Sequence, residues 1–89
     1  SGYTESVLFW LGNALYGQRS YQEAIGSFQL LVNRKPDHPR VPEALLSIAN
    51  CQIELKDMKS ARTTLDQLLK NHPGTAAAEA AKERMALLR

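Results

Sequence analysis

Few side chains in this sequence have the chemistry needed for catalysis or metal binding. Cys51 could act as a nucleophile only beside a base, and no histidine lies near it in the sequence. Its place in the middle of a predicted helix indicates a buried structural thiol. His38 and His72 each precede a proline in separate loops, without the HxxxH spacing or clustered carboxylates of a metal site. We therefore expect no catalytic residue, no metal ligand and no cofactor.

The length and composition exclude several classes of protein. Eighty-nine residues, 44% of them apolar, suffice for one small core but not for a two-domain enzyme or a dinucleotide-binding fold. Eleven basic and nine acidic side chains leave a net charge of +2, which is too balanced for a nucleic-acid binder. No segment is long and apolar enough to span a membrane. The sequence opens without a methionine, so we expect a fragment of a longer chain, with any export signal outside it.

The elements that position these residues are all predicted to be helices. Apolar residues recur at three- and four-residue steps between the prolines and glycines. The predicted helices cover residues 4–18, 20–34, 42–55, 58–71 and 75–88. Ser20 with Glu23 forms a capping-box pattern, while Asp57 and Thr75 are placed to cap the fourth and fifth helices. In the first helix, the predicted core stripe consists of Val7, Leu8, Leu11, Ala14 and Leu15.

The sequence also repeats itself at a shift of 37 residues. The aligned pairs are Leu8 with Leu45, Leu11 with Ile48, Gly12 with Ala49, Asn13 with Asn50, Ala24 with Ala61, Phe28 with Leu65, Leu31 with Leu68 and Pro36 with Pro73. A third copy begins near the end, where Ala44 aligns with Ala81. Each unit comprises two helices, a tight turn and a closing proline, and the short turns require antiparallel neighbours.

These units resemble the tetratricopeptide repeat. The residues that carry the resemblance, which we assign to repeat packing, are Leu11, Gly12, Ala24, Phe28 and Pro36, then Ile48, Ala49, Ala61, Leu65 and Pro73. The resemblance implies an all-α superhelix of antiparallel helix pairs, with repeats at 4–36 and 42–73 and a capping helix at 75–89. The family's tryptophan position holds Leu8 and Leu45 instead, and the period is three residues longer than usual.

A glycine inside the first helix predicts a close helix crossing. Gly12 costs about 1 kcal/mol relative to alanine in a helix interior. This cost is understandable if the second helix passes close by, with Ala24 opposite and Phe28 filling the adjacent space. The alternative is a surface glycine without a packing role.

A longer, proline-containing loop between the repeats narrows the resemblance. The segments 3–5, 9–13, 33–39 and 70–75 are similar to the carboxy-terminal domain of the Tol-Pal-associated cell division coordinators (the CpoB/YbgF type). That resemblance implies a non-catalytic scaffold in the periplasm of a Gram-negative bacterium, with TolA and the peptidoglycan synthase machinery as partners. Similar loops occur in outer-membrane assembly lipoproteins, so a structural or oligomerisation module is the alternative.

The first helix of each unit is expected to line the concave side of the stacked pairs. The side chains predicted to face that side are Phe9, Asn13, Tyr16, Leu46, Asn50 and Ile53. We predict an apolar groove in which the two amides pair with the backbone of a bound peptide. The alternative is packing against another repeat or chain. We predict no clamp for a free carboxyl terminus, because Phe9 and Leu46 stand where basic residues would be needed and Arg84 alone is insufficient.

The two ends of the repeat array differ in polarity. Lys82, Glu83 and Arg84 give the fifth helix a polar exposed side, which suits a cap. At the amino-terminal end, the side chains expected to lie uncovered are Tyr3, Val7 and Trp10. We therefore expect self-association at that end, and a homo-oligomer as its product.

Overall fold

The computed structural model describes residues 2–88, and these form five α-helices with no strand among them. The helices are α1 (Gly2–Gly17), α2 (Tyr21–Arg34), α3 (Val41–Glu54), α4 (Met58–Asn71) and α5 (Ala76–Leu87). Each helix packs against the next one along the chain, and α3 also packs against α5. The predicted all-α superhelix is confirmed, and every helix boundary lies within two residues of its predicted position. The predicted capping helix reaches Arg89, which, like Ser1, lies outside the described residues.

The turn within each helix pair is repeated with the 37-residue period. Arg19 and Lys56 both adopt the left-handed backbone conformation, with φ of 63° and 65°. The N–H of the next residue, Ser20 or Asp57, then donates to the carbonyl five residues earlier, at 2.9 and 2.8 Å. A left-handed conformation costs about 1–2 kcal/mol for a residue other than glycine. Helix packing, rather than the local preference of these two residues, therefore determines the turn.

Side-chain caps fix the first residue of two of the helices. Asp57 accepts a hydrogen bond from the backbone N–H three residues on, and so does Thr75, each at 3.1 Å. Ser20 occupies the N-cap position of α2 without a side-chain cap, so the predicted capping box with Glu23 is wrong. The backbone N–H that Glu23 would have bonded already donates to the carbonyl of Leu15.

The crossing of α1 and α2 is as close as a glycine allows. A Cβ atom placed on Gly12 would lie 2.6 Å from Cε1 of Phe28, a distance that real atoms do not adopt. The Phe28 ring is fully buried and packs edge-on against Phe9, with 6.0 Å between the ring centres. Ala24 is fully buried as well. The aromatic ring therefore occupies the volume that any larger residue at position 12 would need.

The core predicted for α1 is wrong for the residues on one side of the helix. Leu11 is 48% exposed and Ala14 is also exposed, whereas the 47% exposure of Val7 agrees with the expectation that it lies uncovered at the amino-terminal end. The helix instead turns Phe9 and Gly12 inward, and both are buried. Leu8 and Leu15 are partly buried against the core.

The second repeat shows the physical reason for this difference. The α3 residues that align with Val7, Leu11 and Ala14 are all at most 1% exposed; they are Ala44, Ile48 and Cys51. α2 packs against α3, whereas no helix before α1 is present among residues 2–88 to cover the corresponding side. Within the described chain, Leu11 therefore does not pack between repeats as predicted.

The other predicted packing residues divide into helical and loop positions. The helical ones are fully or almost fully buried: Ala24, Phe28, Ile48, Ala49, Ala61 and Leu65. Pro36 and Pro73 are exposed just beyond the ends of α2 and α4. They mark the points where the helices stop rather than the packing between them.

An ion pair joins the start of α1 to the end of α2. Glu5 is only 4% exposed, and its Oε2 accepts a hydrogen bond from Nε of Arg34 at 3.2 Å. Glu5 is the only charged side chain that α1 contains. Because it is buried and paired, the outward side of α1 carries no charge. No helix among residues 2–88 is long and apolar enough to cross a membrane.

We predict that Gly12→Ala lowers the free energy of unfolding by about 1–3 kcal/mol, because the new methyl group overlaps the Phe28 ring. Gly26→Ala is the matched control, since a Cβ at Gly26 meets nothing within 4 Å. Alanine's higher helix propensity should then raise stability by up to about 1 kcal/mol. Urea unfolding followed by circular dichroism measures both; equal stabilisation by the two substitutions would contradict the close crossing.

Candidate functional site

Two open depressions lie along α3, and we call them together the α3 groove. The first, of about 380 Å³, is lined by Pro39, Pro42, Glu43, Leu46, Thr75, Ala76 and Ala77. The second, of about 350 Å³, is lined by Tyr16, Asn50, Ile53, Glu54, Arg84, Leu87 and Leu88. The starts of α3 and α5 therefore meet at one depression and their ends at the other, which shows that these two helices run in the same direction.

The second depression combines hydrogen-bonding groups with apolar walls. Nε of Arg84 donates to Oδ1 of Asn50 at 2.8 Å, which joins α5 to α3. The amide nitrogen of Asn50 and the remaining guanidinium N–H groups are further donors in the same place. Ile53 and Leu87 supply apolar surface beside them. The arrangement can bind a polar backbone and an apolar side chain at once.

Tyr16 of α1 lines this depression, and Tyr21 of α2 packs behind it. The rings of Tyr16 and Tyr21 meet edge to face with 5.5 Å between their centres. The Tyr21 hydroxyl donates a long hydrogen bond to Oε1 of Glu54 at 3.5 Å. Burial, more than the neighbouring acidic groups, raises the pKa of Tyr16 above its ordinary value. Tyr16 therefore stays a neutral hydroxyl in this site at physiological pH.

The first depression is more apolar and is bordered by one proline from the inter-repeat loop and one from the first turn of α3. Pro39 and Pro42 border it on one side, and the start of α5 borders it on the other. Leu46 is partly buried there, and Glu43 is the one charged residue in its lining. The side chain of Glu43 lies 3.4 Å from the guanidinium of Arg40. This depression therefore offers an apolar surface with little net charge.

The α3 groove contains four of the six residues predicted to line a groove: Tyr16, Leu46, Asn50 and Ile53. Asn13 is partly buried and lines neither depression. The two asparagines therefore do not form a continuous row of amides, although they occupy the same position in their repeats. Asn50 differs because α5 places Arg84 beside it.

Phe9 is wrongly predicted as a groove residue. It is only 1% exposed, since its ring packs against Phe28 in the core. Arg40, from the inter-repeat loop, covers the ring further, with its guanidinium carbon 5.0 Å from the ring centre. A side chain so enclosed cannot take part in an open groove.

Arg84 and Glu54 are site residues that the sequence reasoning missed. Arg84 is predicted on the exposed side of the capping helix, but it is partly buried and turned toward α3. Its neighbours Lys82 and Glu83 are exposed, and Lys82 pairs with Glu79 at 3.1 Å. Nothing in the sequence separates Arg84 from these neighbours, because the helix periodicity of the alanine-rich segment is weak.

The residues with reactive side chains are not arranged for catalysis or metal binding. Cys51 is fully buried, and burial, with the negative charge of Glu54 as a smaller cause, raises its pKa to about 11. The thiol is therefore protonated at neutral pH and is a poor nucleophile. His38 is held in its loop, where Nδ1 accepts a hydrogen bond from the N–H of Arg40 at 3.0 Å. Within residues 2–88, no group of three potential metal ligands comes together.

Comparison with known proteins gives one family. The tetratricopeptide repeat model matches residues 15–85, which include the whole of α2, α3 and α4 and most of α5. No curated protein matches the sequence. The matched region contains every residue that lines the α3 groove except Leu87 and Leu88.

We predict that the free energy of unfolding falls between pH 9 and pH 11 in part because of Cys51. The folded chain holds the thiol proton up to about pH 11, whereas an ordinary thiol loses it near pH 9. The unfolded chain therefore binds fewer protons over this range, and stability falls as the pH rises. Cys51→Ala should reduce this fall, by an amount on the order of 1–2 kcal/mol.

Chemical unfolding of the unchanged chain and of the Cys51→Ala variant at several pH values measures the effect. The unchanged chain and the Cys51→Ala variant share every other ionisable group, so the difference between them isolates the thiol. Parallel curves for the two chains would contradict the raised pKa.

Proposed function

Because the chain belongs to the tetratricopeptide repeat family, whose domains generally mediate protein–protein interaction, we propose that it is a non-catalytic scaffold that binds a segment of a partner protein in the α3 groove. The observation that carries this proposal is the pair of donors formed by Arg84 and Asn50 between the apolar surfaces of Ile53 and Leu87. Such a combination suits a polypeptide backbone with an apolar side chain.

The hydrogen bonding within the groove restricts the partner's orientation. Oδ1 of Asn50 is already engaged by Arg84, so the amide NH₂ remains for a ligand. A bound segment would therefore present carbonyl oxygens to Asn50 and Arg84. Its apolar side chains would rest on Ile53 in one depression and on Leu46 in the other, which makes an extended or gently coiled segment the best fit.

The charges of the groove restrict the partner's composition. Glu43 and Glu54 flank the two depressions, and Arg84 is the one basic residue in their linings. The local balance is therefore slightly negative. A strongly acidic segment or a free carboxyl terminus would be repelled by these carboxylates, whereas an apolar segment with neutral or basic flanks would not.

The proposed cellular setting derives from the sequence resemblance rather than from the groove. The segments 33–39 and 70–75 resemble the Tol-Pal-associated cell division coordinators, and each consists of the end of a helix pair with the loop that follows it. On this basis the domain works in the periplasm and its partners are TolA and the peptidoglycan synthase machinery. A structural module of the kind found in outer-membrane assembly lipoproteins is the competing function.

We predict that the double substitution Asn50→Ala with Ile53→Ala weakens the binding of purified TolA at least tenfold, since it removes a donor and an apolar contact from the groove. The matched control is Leu30→Ala with Asn33→Ala, which removes the same two side-chain types from exposed positions of α2 outside the groove. Titration calorimetry measures the affinities, and thermal unfolding verifies that both variants remain folded.

The result also separates the competing functions. Loss of binding in the groove variant alone supports the α3 groove as the partner site. Unchanged binding by a folded groove variant would remove the groove from the proposal. If TolA fails to bind the unchanged chain, TolA is removed from the proposal and the same variant pair is tested with the peptidoglycan synthase components. If these do not bind either, the proposed cellular setting is wrong.

A further inference from the structure

α1 presents an apolar face that no other part of residues 2–88 covers. Four large side chains along it are exposed: Tyr3 by 79%, Val7 by 47%, Trp10 by 56% and Leu11 by 48%. We call this surface the α1 face. The other large apolar side chains that are exposed to a similar degree, apart from Tyr16 of the groove, are Leu30, Leu55 and Leu87. These three lie on different elements, so only α1 shows a stripe of this kind along one helix.

The internal repeat shows that such a face is normally covered by a helix. Val7 and Leu11 align with Ala44 and Ile48 of α3, which are almost completely buried. In α3 the cover is provided by α2, which packs along it. The α1 face therefore has the apolar character of a surface that a helix covers, rather than that of a surface exposed to water.

The α1 face carries no charge of its own. Glu5, the only charged residue of α1, is turned inward and paired with Arg34. Arg40 lies at the edge of the face, with its guanidinium carbon 5.5 Å from the centre of the Trp10 ring, and it also pairs with Glu43. Two such faces brought together would meet no like-charge repulsion across their centres.

The exposed sides of α4 and α5 differ from the α1 face because they carry charged side chains. The exposed side of α4 carries Arg62, Asp66 and Lys70, and that of α5 carries Glu79 and Lys82. Burying any of these charges against Trp10 and Leu11 would cost more than the apolar contact contributes. Of the exposed sides of α1, α4 and α5, only that of α1 is free of charge, so another α1 is the best match for it.

We propose that the α1 face pairs with the α1 face of a second copy of the chain, about a two-fold axis. Each aromatic side chain offers about 150–250 Å² and each aliphatic one somewhat less, so the exposed fractions amount to roughly 450 Å² per copy. Two copies then bury at most roughly 900 Å² in total, which is below the roughly 1,000 Å² of a stable specific interface and within the range of weak, transient ones. The pairing is therefore weak, and it uses a different surface from the α3 groove, which it leaves open.

The test follows the mass of the chain and the fluorescence of Trp10, which is its only tryptophan. Sedimentation equilibrium should show a monomer that becomes a dimer between about micromolar and about millimolar concentration. Trp10 emission should shift to shorter wavelength over the same range, because pairing removes the indole from water. A chain that stays monomeric at the highest concentration overturns the proposal.

Variants locate the interface. Leu11→Glu should remain monomeric with a constant Trp10 emission, and Val7→Lys provides a second substitution of opposite charge. Leu30→Glu is the matched control, since Leu30 is exposed by 49%, as Leu11 is by 48%, but lies on α2. It should dimerise like the unchanged chain. Dimerisation of folded Leu11→Glu with unchanged affinity would overturn the proposal.

A final experiment tests whether a helix of another repeat, rather than a second copy of the chain, covers the α1 face. A synthetic peptide with the sequence of residues 20–35 reproduces α2, the helix that covers α3 in this structure. If this peptide shifts the Trp10 emission of a chain that stays monomeric, the face accepts a helix of another repeat, and pairing of two copies is refuted. No shift with the peptide, together with concentration-dependent dimerisation, supports the proposed pairing.

Discussion

The contact between Gly12 and Phe28 determines how α1 is oriented in this structure. The absence of a Cβ at position 12 leaves room for the Phe28 ring, and that ring in turn packs against Phe9. With Phe9 and Gly12 turned inward, the helix must direct Trp10 and Leu11 away from the core. The absence of a Cβ at position 12 thereby determines both which residues form the α1 face and which side of α1 meets the α3 groove.

Much of this architecture is readable in the sequence, because helix boundaries and repeats depend on local patterns. The rotation of α1 is not, since residues 7–11 are all apolar and favour no side of the helix. The repeat alignment assigned Leu11 the environment of Ile48, yet within residues 2–88 only Ile48 lies on a helix that packs against a preceding one. The contact of Arg84 with Asn50 and the ion pair of Glu5 with Arg34 join residues 34 and 29 positions apart, and no spacing rule reveals such pairs.

The two repeats share a backbone plan but not the same chemistry. The left-handed turn residues Arg19 and Lys56 recur in the same geometry, so the helix pairs are close copies of one another. Asn13 and Asn50 nevertheless differ, because only Asn50 has an α5 residue beside it. The binding chemistry of the proposed groove is therefore concentrated on α3, which packs against α2, α4 and α5. The two repeats therefore share a backbone structure, whereas the surface chemistry of each depends on which helices lie next to it.

The packing of each helix mainly against its neighbours in the chain also affects how the molecule folds. Contacts that are local in sequence need little loop closure, which favours folding in microseconds to milliseconds and allows it to begin at any helix pair. Local opening is easiest where a helix has few packed neighbours, and within residues 2–88 α5 packs only against α3 and α4. A segment bound in the α3 groove would contact α3 and α5 together and so slow the opening of the carboxyl-terminal end. Amide hydrogen exchange in α5 would then report occupancy of a groove whose floor lies on another helix.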